Sequence, residues 1–324
     1  MTRKARALWF TAAGTGEIRD AVVPVPGPDE VLVRTLFSAM SRGTESLVLR
    51  GGVPSSQHDV MRAPFQEGDF PWPVKYGYLN VGRVEAGPAD LVGRTVFCLY
   101  PHQTEYVVPA TAVTVVPEAV PAARAVLAGT VETAVNALWD AAPLVGDRIA
   151  VVGAGMVGSS VAGLLARFPG VDVQLVDVDP ERAKIAEAFG IRYATPEEAE
   201  GELDLVVHAS ASEAGLARSL ELLGHEGTVV ELSWYGDRRV SVPLGENFHS
   251  RRLTVRGSQV GTVSPARSAR RTYGDRLALA LRLLADPAFD VLITGETAFD
   301  ELPGLITRLA GGQLPGLGHR IVYP

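Results

Sequence analysis

Cysteine is almost absent: Cys98 is the only one in 324 residues. One thiol cannot close an internal disulfide or supply a cysteine-rich zinc site, and the expected compartment is cytoplasmic. Cys98 lies in the apolar run RTVFCLY (94–100), where a buried, inert thiol is expected rather than a nucleophile. An excess of positive charge is also lacking. Lys and Arg number 30 against 37 Asp and Glu, a net charge of −7, which argues against nucleic acid as a partner. The one dense basic cluster, Arg267, Arg270 and Arg271, is short and reads as a solvated loop or helix start. The N-terminus MTRKARALWF begins basic but no apolar h-region follows, so a signal peptide is not expected. Long apolar runs are missing with one exception. Ile149 to Ala166 carries no charge and reaches the lower length limit of a membrane span, yet it holds four glycines.

What is present changes texture along the chain. Residues 1–118 are β-rich, with short Val, Leu, Thr and Phe runs broken by turns such as PVPGPDE (24–30). The stretch 53–75 is long, Pro-rich and aromatic; its aromatics favour an ordered loop. From about 120, helical segments give way to strands alternating with helices: strands are expected at 147–154, 171–178, 203–210, 227–234 and 253–258. Such alternation predicts a parallel sheet covered on both faces, hence an α/β protein. Two amphipathic helices follow, at 274–286 and 300–312; the second is expected to start at an Asp300 cap and stop at Gly311–Gly312.

RIAVVGAGMVGSSVAG places Gly153, Gly155 and Gly158 as G-x-G-x-x-G between a strand and a helix. Gly153 permits the tight turn, Gly155 lets backbone approach a pyrophosphate, and Gly158 allows close helix–strand packing. The amides opening the helix, from Met156 and Val157 onward, then face the anion. Asp177 ends the next strand, where a carboxylate meets the adenosine ribose hydroxyls and repels a 2′-phosphate, so NAD is preferred over NADP. Asp179, before PER, is expected as a helix N-cap. The uncharged run is thus a buried strand and helix, and no membrane span is expected.

A β-rich opening, a central dinucleotide domain and a returning tail resemble the medium-chain dehydrogenase/reductase superfamily. VPVPGPDEVLVRTLFSAMSRGTE looks like its GroES-like opening, and LAGTVETAVNALWDAAPLVGDRIAVVGAGMVG like its entry into the nucleotide domain. The resemblance implies a GroES-like catalytic domain over 1–129 and 262–324 and a doubly wound Rossmann domain over 130–261. It puts Ser41, Tyr78 and a position near Gly129 where zinc-dependent members carry ligands, with Leu79 where a glutamate sits. None of the three is a metal ligand, so no zinc is expected. By the same resemblance Arg42 reaches the cofactor pyrophosphate, and Thr133 lies against the nicotinamide. Ser210 and Ser233, at the C-terminal ends of their strands, are further cofactor-binding candidates. His58, Asp59, Glu67 and Asp69 share one loop and could rebuild a metal site, but no spacing matches a ligand pattern and a solvated loop is expected. His102, His208, His225, His249 and His319 read as structural.

Without a metal, hydride chemistry needs a hydrogen-bond donor at the developing alkoxide or enolate. Ser41 and Tyr78 are the candidates, with Glu45 to orient or deprotonate one of them. Trp234, Tyr235, Phe65, Phe70 and Trp72 are expected to line an aromatic cleft suited to a bulky, partly apolar substrate. The expectation is a zinc-independent, NAD(H)-dependent oxidoreductase interconverting a secondary alcohol and a carbonyl. An enone or quinone reductase, or an NAD-binding protein without turnover, are the alternatives. By resemblance the partner is a second copy of the chain, a homodimer seamed along LTVRGS (253–258).

Overall fold

In the computed structural model, which describes residues 3–310, 313 and 316–324, the early chain follows its strand-like runs. β1 (Arg3–Ala12) and β2 (Thr15–Val23) form an antiparallel hairpin about Gly14, whose φ of 69° favours glycine. β3 (Glu30–Met40) leads into α1 (Thr44–Leu49). The 53–75 stretch is ordered by β4 (Glu67–Gly68) and β5 (Val74–Lys75). β6 (Asn80–Ala86), β7 (Thr95–Cys98), β8 (Glu105–Pro109) and β9 (Val113–Val115) follow, then α2 (Ala122–Ala125) and α3 (Ala128–Ala141).

Strands and helices then alternate: β10 (Arg148–Val152), α4 (Met156–Leu165), β11 (Asp172–Val176), α5 (Ala183–Phe189) and β12 (Arg192–Ala194). β13 (Leu203–His208), α6 (Glu213–Glu221), β14 (Leu223–Glu231), α7 (Asn247–Ser250) and β15 (Thr254–Gly257) continue the pattern. α8 (Tyr273–Leu283), β16 (Ile293–Ala298), α9 (Leu302–Ala310) and β17 (Gly318–Val322) close the described chain.

Two compact units result. The first comprises Met1–Gly129, Leu281–Ala285 and Ile293–Pro324; the second comprises Thr130–Ala280 and Asp286–Leu292. The expected return at 262 falls inside the second unit, because buried Arg276 donates to Glu132 and Asn136 of α3 and holds the preceding segment there.

In the first unit β2-β1-β5-β4 form one sheet, and β16-β17-β3-β6-β7-β9, with β8 also on β3, form another. Leu8, Phe10, Met40, Val48, Leu305 and Ile306 share one apolar cluster there, each side chain contributing about 1.5–3 kcal/mol by leaving water. In the second unit six parallel strands run β12-β11-β10-β13-β14-β15. Their central members are buried on both faces, which explains why they read as unbroken apolar runs. The strand order reverses at β10, flanked by β11 and β13, the switch point at which α/β sheets bind ligands. Residues 149–166 are β10 and α4, and among the described residues no helix is long and apolar enough to cross a membrane.

Asp179 caps as expected, accepting from the Glu181 N–H. Asp300 does not cap the last helix. It sits inside a 3-10 turn, Phe299–Glu301, where its carboxylate is held by Arg6 at 2.5 Å. The expected stop of that helix at Gly311–Gly312 lies outside the described residues. Cys98 is buried and desolvation pushes its thiol up to about 12, as an inert thiol requires.

Candidate active site

In the first unit β3 ends at Met40 and the chain turns sharply into α1. Ser41, Glu45 and Tyr78 come together there. The Glu45 N–H donates to the Ser41 carbonyl (2.9 Å), and Glu45 Oε1 accepts the Ser41 N–H (2.8 Å), satisfying donors that a helix start leaves open. Tyr78 donates its phenol proton to Ser41 Oγ at 2.7 Å. Both hydroxyl residues are half-buried, whereas Glu45 is fully buried. Lost hydration raises the Tyr78 pKa; bonds to Ser41 and Thr44 oppose this, and the Glu45 charge adds to it. Tyr78 therefore stays protonated and acts as a donor.

The sequence did not signal what stands behind Glu45. His102 Nε2 lies 2.9 Å from Glu45 Oε2, His102 Nδ1 lies 2.7 Å from Ser38 Oγ, and Ser38 Oγ lies 2.9 Å from the Tyr323 hydroxyl. In the tautomer that donates to Glu45 through Nε2, His102 accepts from Ser38 through Nδ1. His102 is structural in its packing, but it also fixes the carboxylate that holds Ser41. A histidine directly after a strand, in CLYPHQ, was the only local hint.

The donors here do not fit a zinc site. Ser41 and Tyr78 bond to each other. A Cβ at Gly129 would meet Leu79 Cδ2 at 2.5 Å, leaving no space for a ligand side chain unless Leu79 moves. Among the described residues no three His, Cys, Asp or Glu are grouped to hold a metal. Arg42, beside Ser41, donates to the Gly316 carbonyl in this structure.

The second unit carries the dinucleotide candidates. Gly153 has φ of 104°, and a Cβ there would lie 2.6 Å from the Ser210 N–H. At Gly158 a Cβ would lie 1.9 Å from the Gly153 carbonyl oxygen, so only glycine lets α4 pack this close. Nothing stands within 4 Å of where a Gly155 Cβ would be, which leaves its backbone open to a ligand. Met156 and Val157 open α4 with Gly155 at its N-cap. Asp177, half-buried just after β11, accepts from the Ala154 N–H at 2.6 Å and from the Asp179 N–H at 2.9 Å. The acid thus sits against the glycine turn, and these residues fit a dinucleotide. Thr133 lies half-buried on α3.

Beyond β13 lies a second network that the sequence did not reveal. His208 Nδ1 is 2.7 Å from Glu231 Oε2 and its Nε2 is 2.6 Å from Ser210 Oγ. Ser233 donates its N–H to Glu231 Oε1 (2.7 Å), and its Oγ accepts the Ala211 N–H (3.0 Å). Burial pushes the Glu231 carboxyl up, but the His208 bond and charge and the Ser233 contacts outweigh it, and the pKa is lowered. Desolvation and the Glu231 charge push Tyr235 up to about 12. His208 and Glu231 were missed because alternate residues of a buried strand look like packing until their partners are known.

The aromatics expected to line a cleft belong to both units, Phe65, Phe70 and Trp72 to the first and Trp234 and Tyr235 to the second. Phe70 is buried in the apolar core of the first unit, against Tyr76, with Trp72 packed on it. Phe65 stacks obliquely on Tyr100, and Tyr235 points its hydroxyl to Glu231. Trp234 is exposed.

Residues 148–220 match the family described as 3-hydroxyacyl-CoA dehydrogenase, NAD binding domain. Comparison with curated protein sequences found no match. Among solved structures, L-idonate 5-dehydrogenase of Escherichia coli superposes with a TM-score of 0.81 at 15% identity, covering 99% of both chains. A putative zinc-binding dehydrogenase of Sinorhizobium meliloti 1021, bound to NADP, gives 0.78 at 17%, again over 99% of each. Alcohol dehydrogenase TADH of Thermus sp. ATN1 gives 0.74 at 20%, over 98% of this chain and 100% of that one. The fold is that of the zinc-containing alcohol dehydrogenases, the medium-chain dehydrogenase/reductase fold. At these identities the likeness is one of architecture.

Proposed function

We propose that the protein is an NAD(H)-dependent oxidoreductase that interconverts a secondary alcohol and a carbonyl without zinc, on a bulky, partly apolar small molecule. The observation that carries this reading is the Asp177 carboxylate bonded to the Ala154 amide beside an open Gly155. The second unit would hold the dinucleotide through Gly153, Gly155, Gly158, the opening amides of α4 and Asp177, with Ser210 and Ser233 nearby on the sheet's C-terminal edge. When bound, the nicotinamide supplies or accepts the hydride.

The first unit supplies the proton. Tyr78 donates to Ser41 Oγ, which makes the serine proton a better hydrogen-bond donor to a substrate oxygen. Glu45, fixed by His102, holds the Ser41 backbone and so the direction of its side chain. A phenol with a raised pKa is a poor base and a good partner for a strongly basic oxyanion. The geometry therefore favours carbonyl reduction, in which an alkoxide develops and is protonated. In solution the protein is proposed to be a homodimer.

NADH and NADPH titrations followed by nicotinamide fluorescence test the reading. Wild type is expected to prefer NADH, and Asp177→Ala to weaken it at least about tenfold while narrowing the preference. Equal or tighter NADPH binding to wild type would move an enone or quinone reductase to first place. Binding of neither cofactor would end the oxidoreductase reading. Active protein carrying one zinc per chain by metal analysis would end the zinc-free part alone.

A further inference from the structure

The Arg267, Arg270 and Arg271 cluster is an exposed turn, as its sequence suggests, but an internally bonded one. Ser264 accepts the N–H groups of Arg267 and Ser268, and Arg267 accepts those of Arg270 and Arg271, all at 2.8–2.9 Å. This short spiral sets the three arginines at i, i+3 and i+4, on one face. Together with Trp139 of α3 and Leu279 of α8 they line a cavity of about 480 Å³, within the range of small-molecule sites.

Three like charges on one face repel, and among the described residues none of the three guanidiniums has a carboxylate partner, in a chain with more acids than bases. The fold nonetheless holds them in place. Arg276, buried behind them, donates to Glu132 (3.0 Å), Asn136 (2.6 Å) and the Val260 carbonyl (2.6 Å). Asn136 Oδ1 also accepts the Ser264 N–H, and Ser258 donates to Asp140. The arginine segment is thereby fastened to the helix that carries Trp139. Asp140, next to Trp139, is bonded by Arg256 and Ser258 at β15, and β15 stands four strand positions from β11 and Asp177, which is about 19 Å at 4.8 Å per strand. The cavity is distinct from the adenosine end of the dinucleotide site.

We infer that this cavity binds a small organic polyanion with a flat apolar portion, such as an aryl phosphate, its charge held by the three arginines and its ring against Trp139 and Leu279. Guanidinium forks match phosphate and carboxylate oxygens, and an indole face with a leucine offers a wall to a ring. The inference is independent of the proposed oxidoreductase activity.

Calorimetric titration of the full chain with 1-naphthyl phosphate, 1-naphthol and inorganic phosphate tests it, alongside NADH as a control. Saturable binding of 1-naphthyl phosphate is expected, tighter than either fragment and weakened by added salt. Arg270→Ala/Arg271→Ala should weaken it at least about tenfold, and Trp139→Leu should weaken it while leaving inorganic phosphate unchanged. NADH affinity should stay the same in both variants. The inference is overturned if 1-naphthyl phosphate does not saturate or if the arginine variant binds it equally. Equal binding of 1-naphthol, or competition with NADH, would overturn it too. So would a change of oligomeric state in the arginine variant without any ligand binding to wild type, since a second copy would then fill the cavity.

Discussion

Each unit contains a histidine clamped between a glutamate and a serine. In the first, His102 joins Glu45 to Ser38; in the second, His208 joins Glu231 to Ser210. The residue types match and the distances all fall between 2.6 and 2.9 Å. What differs is water. The Glu45 side chain is 0% exposed and Ser38 1%, whereas the Glu231 side chain is 15% exposed and Ser210 is half-buried at the ligand-binding edge of a parallel sheet. The first relay is a support that acts through Ser41; the second is open to a ligand. The same three side chains are thus stabilising in one place and available in the other.

The largest expected effect separates them by stability. Glu45→Ala would leave His102 unpaired where water cannot reach and remove the partner of the Ser41 N–H, at a cost of about 4 kcal/mol. Glu231→Ala exposes its former partners to solvent and should cost about 1.5 kcal/mol. Urea denaturation of the two variants measures this, and equal losses would erase the distinction. Next in size, Tyr78→Phe removes the donor to Ser41 without opening the core. Carbonyl reduction is expected to slow about 100-fold, roughly 2.7 kcal/mol of barrier, with a smaller loss of stability than Glu45→Ala. A rate within twofold of wild type, on the best substrate from a ketone screen, would remove Tyr78 from the chemistry.

A finer cut uses the serines. Ser210→Ala should weaken NADH binding about fivefold, near 1 kcal/mol, and leave unfolding nearly unchanged. Ser38→Ala should do the reverse, lowering stability by about 1–2 kcal/mol with NADH binding intact. If Ser210→Ala loses stability and keeps NADH affinity, the second relay is a support like the first.

The contrast also explains what the sequence could carry. The dinucleotide turn is written locally: Gly153, Gly155 and Gly158 lie within one turn, and Asp177 follows at the end of the next strand. Chain connectivity alone brings them together, so spacing suffices to find them. The hydroxyl site was half visible. Ser41 and Glu45 share the turn from β3 into α1, and Tyr78 came from resemblance, but Ser38 meets Tyr323 because β17 pairs with β3 in one register, and His102 is held by the bond its carbonyl accepts from Leu8 of β1. Ser38 and Tyr323 are separated by 285 positions in sequence. The arginine cavity was invisible for a related reason. Arg267, Arg270 and Arg271 are the solvated run they look like; that they line a cavity depends on Arg276 being buried against α3, and a charged residue in an amphipathic helix reads as surface. Asp300 failed as a cap because Arg6, far away in sequence, offers its carboxylate a charged partner.

The smallest predicted effect places the two units at opposite ends of the pH scale. Glu231 has a lowered pKa, so below its ordinary value of 4.5 the unfolded chain takes up a proton before the folded one does. Its contribution is present above that value and is lost as pH falls through the folded pKa. Tyr78 has a raised pKa, so above its ordinary value of 10.0 the unfolded chain gives up a proton first. Its contribution is present below that value and is lost as pH rises. Stability measured against pH should then lose part of its acid limb in Glu231→Gln and part of its alkaline limb in Tyr78→Phe. Because Glu231 keeps some contact with solvent, its limb should be the shallower of the two. An alkaline limb unchanged in Tyr78→Phe would mean that the phenol is well hydrated, so that burial does not raise its pKa and the site offers a developing alkoxide no more than an ordinary phenol.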